Sequence, residues 1–307
     1  MKRFLSSLLC AVLLLGLLPA VSPPARMITG SCSVNRTEAF IGDTLTWSAS
    51  VTSGDIGPIY YRFYTYRNDW PYPYDDGLYV QSDPQYSHAT TAPGRYYARV
   101  GLFNYGDAYG EYVYAYSAWT DVYLPAPKIS KVEPLSGTSL KITWGKVPGA
   151  TGYYLERSTS KTTGYSQIKA TTATSFTDRY LKPGTRYYYR LRTYTFINTA
   201  DWTSSKYGNP VAGVPLAKSA ILSAAGVSRT QIKLTWKKVT GATGYQIFRS
   251  TTAGGTYKSI KLTTALTYTA GGMLHAKTYY FKVRPYKQFG TVKYYGPLSG
   301  YRSGRTR

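Results

Sequence analysis

Two histidines, His88 and His275, are the only imidazoles in the chain, and they fall in segments expected to belong to different domains. Neither stands near a matching cysteine or acid cluster, which argues against a histidine-rich metal site and against a Ser-His-Asp arrangement. No glycine-rich phosphate loop followed by Lys-Ser/Thr occurs. A glycosidase needs two facing carboxylates. Asp69, Asp75 and Asp76 are neighbours in sequence, but their turn-rich stretch selects no pair as acid and base. A calcium site built from Asp69, Asp75, Asp76 and Asp83 lacks EF-hand-like spacing. The expectation is a protein that is not an enzyme and carries no cofactor or metal.

Residues suited to binding are easier to find. Asn68-Asp69-Trp70-Pro71-Tyr72-Pro73-Tyr74-Asp75-Asp76-Gly77 sets aromatic rings beside acids, in a segment whose prolines exclude a central strand. Asp69, Trp70, Tyr72 and Tyr74 would suit a sugar ring or a partner peptide. The plainer expectation is that these rings fold back over the sandwich end, because large aromatics bury where they can.

Charge supplies a second candidate. The chain has 37 Lys and Arg against 14 Asp and Glu, but the excess is uneven. Residues 26–124 carry a net charge of −4, residues 125–217 carry +9, and residues 218–307 carry +16 with no acid at all. A field of one sign this strong favours anionic polymers. On the stretch Tyr279 to Tyr286, alternation sends Tyr280, Lys282, Arg284 and Tyr286 outward if Tyr279, Phe281 and Val283 face a core. The counterpart stretch presents Tyr188, Arg190, Arg192 and Tyr194. Basic residues interleaved with aromatics can grip a charged polymer through ion pairs and stacking. A solvated face whose Lys and Arg only discourage strand aggregation would read the same way.

The elements that must hold these residues are strands. Tyrosine occurs 34 times, Thr, Val and Gly are plentiful, and no long helical apolar period follows the N-terminal segment. Leu140-Lys-Ile-Thr-Trp144 returns as Ile232-Lys-Leu-Thr-Trp236, and Gly149-Ala-Thr-Gly-Tyr153 as Gly241-Ala-Thr-Gly-Tyr245. Tyr187 to Tyr194 corresponds to Tyr279 to Tyr286. The offset is a constant 92 residues, a whole small domain duplicated. Each copy alternates apolar and polar residues between turn signals, as antiparallel sandwiches do.

This order of a Trp on an early strand, Gly-Tyr with an Arg a few residues on, and then Leu-x-x-Gly-Thr-x-Tyr resembles fibronectin type III domains. The Ala-Thr-Gly-Tyr wording is similar to versions found in secreted proteins of Gram-positive bacteria. The resemblance covers about residues 125–307. It implies core tryptophans at Trp144 and Trp236, and corner tyrosines at Tyr187 and Tyr279 whose hydroxyls bond back to the backbone. The second copy lacks the Pro-Gly pair of the first at its corner, reading Met273-Leu-His-Ala-Lys-Thr-Tyr279. Residues 26–124 resemble an immunoglobulin-like sandwich, with Leu45, Trp47, Ala49 and Val51 alternating inward and a corner at Ala92-Pro-Gly-Arg-Tyr96.

The expected fold is therefore all-β: three tandem antiparallel β-sandwiches, at 26–124, 125–217 and 218–307, after a signal peptide at 1–25. Met1-Lys2-Arg3, an apolar run from Phe4 to Leu18, and small residues at Ala20 and Ala25 make the export pattern. Cys10 falls in that segment, so Cys32 has no disulfide partner, and it is read as a small residue on a first strand. The expected function is secreted, non-enzymatic binding or adhesion at the cell envelope, with anionic wall or extracellular polymers as partners of the basic domains. The alternative is a carbohydrate-binding or linker module of an extracellular polysaccharide-degrading system. Non-specific nucleic-acid binding would use the same basic face.

Overall fold

Alternation of apolar and polar residues gives the described residues of this chain their strands. In a computed structural model the described residues are 29–51, 59–67, 82–104, 113–197, 200–203 and 205–307, and they contain no helix. The chain divides into two compact units. One comprises residues 1–126 with 147–151 and 193–206, and the other comprises 127–146, 152–192 and 207–307.

The first unit holds β1 (Gly30–Val34), β2 (Glu38–Phe40), β3 (Thr44–Val51), β4 (Ile59–Arg67), β5 (Gln85–Ala89), β6 (Gly94–Asn104), β7 (Val113–Tyr116) and β8 (Thr120–Tyr123). Strands β1-β3-β5 form one sheet, and β2-β8-β6-β4 form another, with β7 also paired to β6. The inward residues Leu45, Trp47 and Ala49 of β3 meet Phe63, Tyr96, Ala98, Val100 and Val122 in one core. Pairing is antiparallel except between β2 and β8, which run parallel with Glu38 opposite Asp121. The exception arises because the chain leaves β1 and crosses to the other sheet at Arg36 and Thr37, whose carbonyls accept from Thr120 Oγ1 and Asp121 N. At the corner, Tyr96 donates its hydroxyl to the Ala92 carbonyl at 2.9 Å. Cys32 sits on β1 against the core, and burial pushes its thiol up to about 12.

The duplicated segments give two sets of strands in the same order. The first set is β9 (Ile129–Ser136), β10 (Ser139–Trp144), β11 (Gly152–Ser158), β12 (Ser166–Thr171), β13 (Ser175–Asp178), β14 (Tyr187–Ile197), β15 (Ala200–Thr203) and β16 (Val211–Gly213). The second is β17 (Ile221–Gly226), β18 (Ile232–Trp236), β19 (Gly244–Ser250), β20 (Lys258–Thr263), β21 (Thr267–Ala270), β22 (Thr278–Phe289), β23 (Val292–Tyr295) and β24 (Arg302–Arg305). Sheets β13-β10-β9 and β12-β11-β14-β15, with β16 on β14, are matched by β21-β18-β17 and β20-β19-β22-β23, with β24 on β22. Trp144 packs on Tyr153 and Trp236 on Tyr245, with ring centroids 5.6 and 5.7 Å apart. Both indoles are buried.

The corners use the tyrosine hydroxyls as acceptors. Lys182 N donates to Tyr187 Oη at 3.1 Å, and Leu274 N donates to Tyr279 Oη at 2.9 Å. Each turn contains two left-handed residues 92 positions from their counterparts: Tyr180 and Gly184 at φ 60° and 72°, then Gly272 and Ala276 at 68° and 54°. The second corner thus keeps the shape of the first without its Pro-Gly pair. A glycine has moved to the other end of the turn, and an alanine holds the conformation that Gly184 adopts. Gly184 also packs against Gly241, where a Cβ on either would meet backbone at 2.6 Å.

Candidate functional site

Comparing the copies residue by residue shows how residues 218–307 come to have no acid. The acids of the first copy are Glu133, Glu156, Asp178 and Asp201, and 92 positions on stand Ala225, Phe248, Ala270 and Lys293. Two of these carboxylates are buried, Glu156 at 7% exposure and Asp178 at 5%. Asp178 takes two hydrogen bonds from Arg157 Nη1, at 3.1 and 3.0 Å, and one from Tyr189 Oη at 2.8 Å. Burial, then the adjacent Asp178 charge, raises the Tyr189 phenol far above its ordinary range, so it stays a donor. In the second copy Ala270 and Phe281 replace Asp178 and Tyr189, and the pair becomes apolar core. Arg249, the counterpart of Arg157, lies over the Tyr279 ring at 5.6 Å and donates to the Gly271 carbonyl at 3.0 Å.

The second substitution changes the surface. In the first copy Glu156 accepts from Arg190 Nε at 2.8 Å and Nη2 at 2.7 Å, and also from the Tyr207 hydroxyl. Arg190 lies 4.0 Å from the Tyr165 centroid and 3.8 Å from that of Tyr207. Arg192 lies over Tyr154 and Tyr207 at 5.3 and 5.2 Å. This face is cationic and aromatic, but Glu156 neutralises Arg190.

In the second copy the register of β19 on β22 sets Phe248 opposite Lys282 and Gln246 opposite Arg284. Lys282 Nζ lies 4.1 Å from the Tyr257 centroid. The Arg284 guanidinium is held between Tyr295 at 4.0 Å and Phe248 at 5.2 Å, and Nε donates to Gln246 Oε1 at 2.8 Å. Burial lowers Arg284 below its ordinary value, though a guanidinium remains charged. Among the described residues neither cation makes an ion pair. Tyr280 meets Tyr301 edge-on at 5.5 Å, and Tyr301 borders an open depression of about 410 Å³ also lined by Lys218 and Arg302. Rings therefore fix two cations whose charge no neighbouring carboxylate cancels. A polyanion could take both while lying against the positive edges of the rings.

Of the residues expected outward, Tyr280, Lys282 and Arg284 share this face half-buried, as Arg190 and Arg192 share the other. Tyr286 is a correction: it is 5% exposed. Its partner across the ladder is Gly244, and the ring lies down over that glycine, where a Cβ would come within 2.5 Å of Tyr286 Oη. Tyr188 is likewise buried, with the Arg186 guanidinium over it at 5.2 Å. Asp69, Trp70, Tyr72 and Tyr74 lie outside the described residues, as do Asp75 and Asp76. Asp83 accepts from Gln85 N at 2.9 Å. His88 lies on β5 and His275 in the exposed β21–β22 corner. Among the described residues no group of three His, Cys, Asp or Glu could hold a metal.

Sequence reasoning missed Tyr257, Tyr295, Tyr301 and Phe248. Tyr257 and Phe248 were findable, because the 92-residue offset pairs them with Tyr165 and Glu156. Tyr295 and Tyr301 come from the hairpin and C-terminal segment, where the two copies no longer match.

No family model matches the chain. A curated relative is Exoglucanase B of Cellulomonas fimi, 27% identical over 186 residues, which are 54% of this chain and 16% of that protein. The chain therefore spans well under a fifth of the relative's length. Among solved structures it is similar to the chicken CNTN1 FN1–FN3 domains, covering 90% of this chain and 97% of that one at 15% identity and a TM-score of 0.33, a superposition too loose to bear on the fold.

Proposed function

We propose that this protein is secreted, acts by binding rather than catalysis, and holds anionic extracellular or cell-wall polymers through its last β-sandwich. The three sandwiches, divided near residues 124 and 217, would act as successive modules, of which the last carries the largest excess of positive charge. One observation carries this reading: Glu156, which neutralises Arg190 in one copy, is Phe248 in the other, leaving Lys282 and Arg284 held by rings and Gln246 with no carboxylate beside them. The 16 basic residues of 218–307, with no acid among them, would steer a polyanion to that face. The basic and apolar start of the chain supports export, and among the described residues no helix is long and apolar enough to cross a membrane.

The test is binding of the full chain to linear polyphosphate and to wall polymer from Gram-positive cells. Changing Lys282→Glu together with Arg284→Glu should weaken both about tenfold or more, since two charge-assisted contacts turn repulsive. The same reversal at Lys237 and Lys238, exposed beside a turn, should cost clearly less. Equal losses would point to a diffuse cloud of charge and would remove the face from the account.

A second reading is a non-catalytic accessory module of a polysaccharide-degrading system. It is favoured by the match to part of an exoglucanase. Retention by neutral glycans, unaffected by salt, would support it.

A further inference from the structure

The first unit carries an aromatic surface that the basic face does not explain. On β4, Arg62, Tyr64 and Tyr66 alternate with the buried Phe63 and Thr65. On β6, Tyr97, Arg99 and Gly101 alternate with the buried Ala98 and Val100, and on β7 Tyr114 and Tyr116 flank the buried Ala115. The register sets Tyr64 opposite Arg99 and Tyr66 opposite Tyr97 on one side. On the other side Arg99 stands opposite Tyr116, and Gly101 opposite Tyr114. Because side chains of one parity share a face, these positions form a single grid.

The rings are ordered by one another. Tyr66 and Tyr97 stack at 4.8 Å with planes 11° apart, and Trp119 closes on Tyr97 at 4.4 Å. Arg99 sits at the centre, its guanidinium carbon 4.7 Å from Tyr64, 5.6 Å from Tyr66 and 4.6 Å from Tyr114. Its Nε is buried and makes no hydrogen bond among the described residues. The cation is enclosed by rings and has no carboxylate partner among the described residues. Tyr116 is 49% and Trp119 47% exposed, although a complete core lies behind the same sheet. Large rings left in water beside a full core mark a contact surface.

The chemistry of the face selects its occupant. None of its described positions carries a carboxylate, and it offers flat ring faces, phenol hydroxyls and guanidinium donors. Pyranose rings with equatorial substituents present C–H faces to such rings, while their hydroxyl and ring oxygens accept hydrogen bonds at the edges. Residues 26–124 are net −4, which disfavours a polyanion. We propose that the β4-β6-β7 face of the first unit binds a neutral polysaccharide chain, with sugar rings stacked on the exposed Tyr116 and Trp119, which Tyr66 and Tyr97 support from beside, and Arg99 donating to the sugar oxygens. This site shares no residue with the basic face and does not depend on it; it rests on the accessory-module reading, to which it adds the binding surface.

The experiment is affinity electrophoresis of the full chain through gels containing hydroxyethyl cellulose, mixed-linkage β-glucan or arabinoxylan. It is run at roughly 0.5 M salt to screen the basic face. At least one glycan should retard the protein and quench its tryptophan emission. Replacing Tyr116→Ala and Trp119→Ala together should weaken retardation by about tenfold or more, the loss of two stacking platforms. Both side chains are half-exposed, so an unchanged thermal melt will show that the variant is folded. Trp119→Phe, which keeps a ring, should retain most of the binding. Failure of all three glycans to retard the wild type would overturn the proposal. So would equal retardation of the folded double variant, retention by polyuronate alone, or capture of a protein partner on this face without any glycan binding.

Discussion

Replacing Ala276 by glycine should stabilise the protein. Ala276 holds φ 54° at the corner before β22, in the region where an L-residue's Cβ crowds the backbone. That conformation costs roughly 1–2 kcal/mol for a non-glycine residue. Glycine removes the cost but gives the unfolded chain more freedom, which returns about 0.4–1 kcal/mol. The balance for Ala276→Gly is a gain of about 0.5–1 kcal/mol. For a melting unit of 150–250 residues this raises Tm by roughly 1–4 °C. Two glycines provide the reverse experiment. Gly272 has φ 68° and nothing within 4 Å of a would-be Cβ, so Gly272→Ala should show backbone strain alone, about 1 kcal/mol. Gly184 has φ 72° and its Cβ would strike Gly241 backbone at 2.6 Å, so Gly184→Ala adds overpacking of about 1–3 kcal/mol. Urea and thermal melts of the three variants measure these terms. If Ala276→Gly lowers stability, or Gly184→Ala costs no more than Gly272→Ala, the reasoning about this turn is wrong.

Asp178→Ala should cost about 3–5 kcal/mol, because the buried Tyr189 hydroxyl and Arg157 lose their shared acceptor. Adding Tyr189→Phe, which reproduces the Ala270 and Phe281 of the other copy, should recover about 1 kcal/mol or more in urea melts. Burial of Cys32 sets an alkaline limit. Its thiol is raised to about 12 in the folded state, so above the ordinary thiol value the unfolded chain ionises first. The stability this group contributes is complete below about pH 8.5 and is lost as pH rises towards 12. Cys32→Ser melts should show a shallower decline over that window, and native Cys32 should resist alkylation at pH 8.

Strand positions were legible wherever alternation met a full core, as in Leu45, Trp47 and Ala49 or Tyr279, Phe281 and Val283. The duplication was legible for the same reason, and it carried the corner tyrosines with it. Alternation did not reveal that Tyr286 and Tyr188 are buried, because parity assigns a face but not what covers it. A glycine across the ladder let one ring lie flat, and an arginine sheathed the other. The parallel pairing of β2 with β8 left no trace, since a three-residue strand has too little pattern to reveal its partner. The aromatic grid of the first unit was also hidden. Its residues come from three strands and a loop whose pairing the sequence does not state, so Tyr66, Tyr97 and Trp119 meet only in the fold.

The central claim is that the face with Phe248 in place of a glutamate binds polyanions because Lys282 and Arg284 have no carboxylate partner, and Phe248→Glu tests it directly. Phe248 is half-buried opposite Lys282, where a glutamate would reach Lys282 and Arg284 as Glu156 reaches Arg190. Binding of the full chain to duplex DNA, used as a defined polyanion, is measured across a salt series with a thermal melt to verify folding. The account predicts that a folded Phe248→Glu variant binds about tenfold more weakly at low salt, with a log K against log salt slope shallower by about one to two. An unchanged affinity and slope in the folded variant would contradict it.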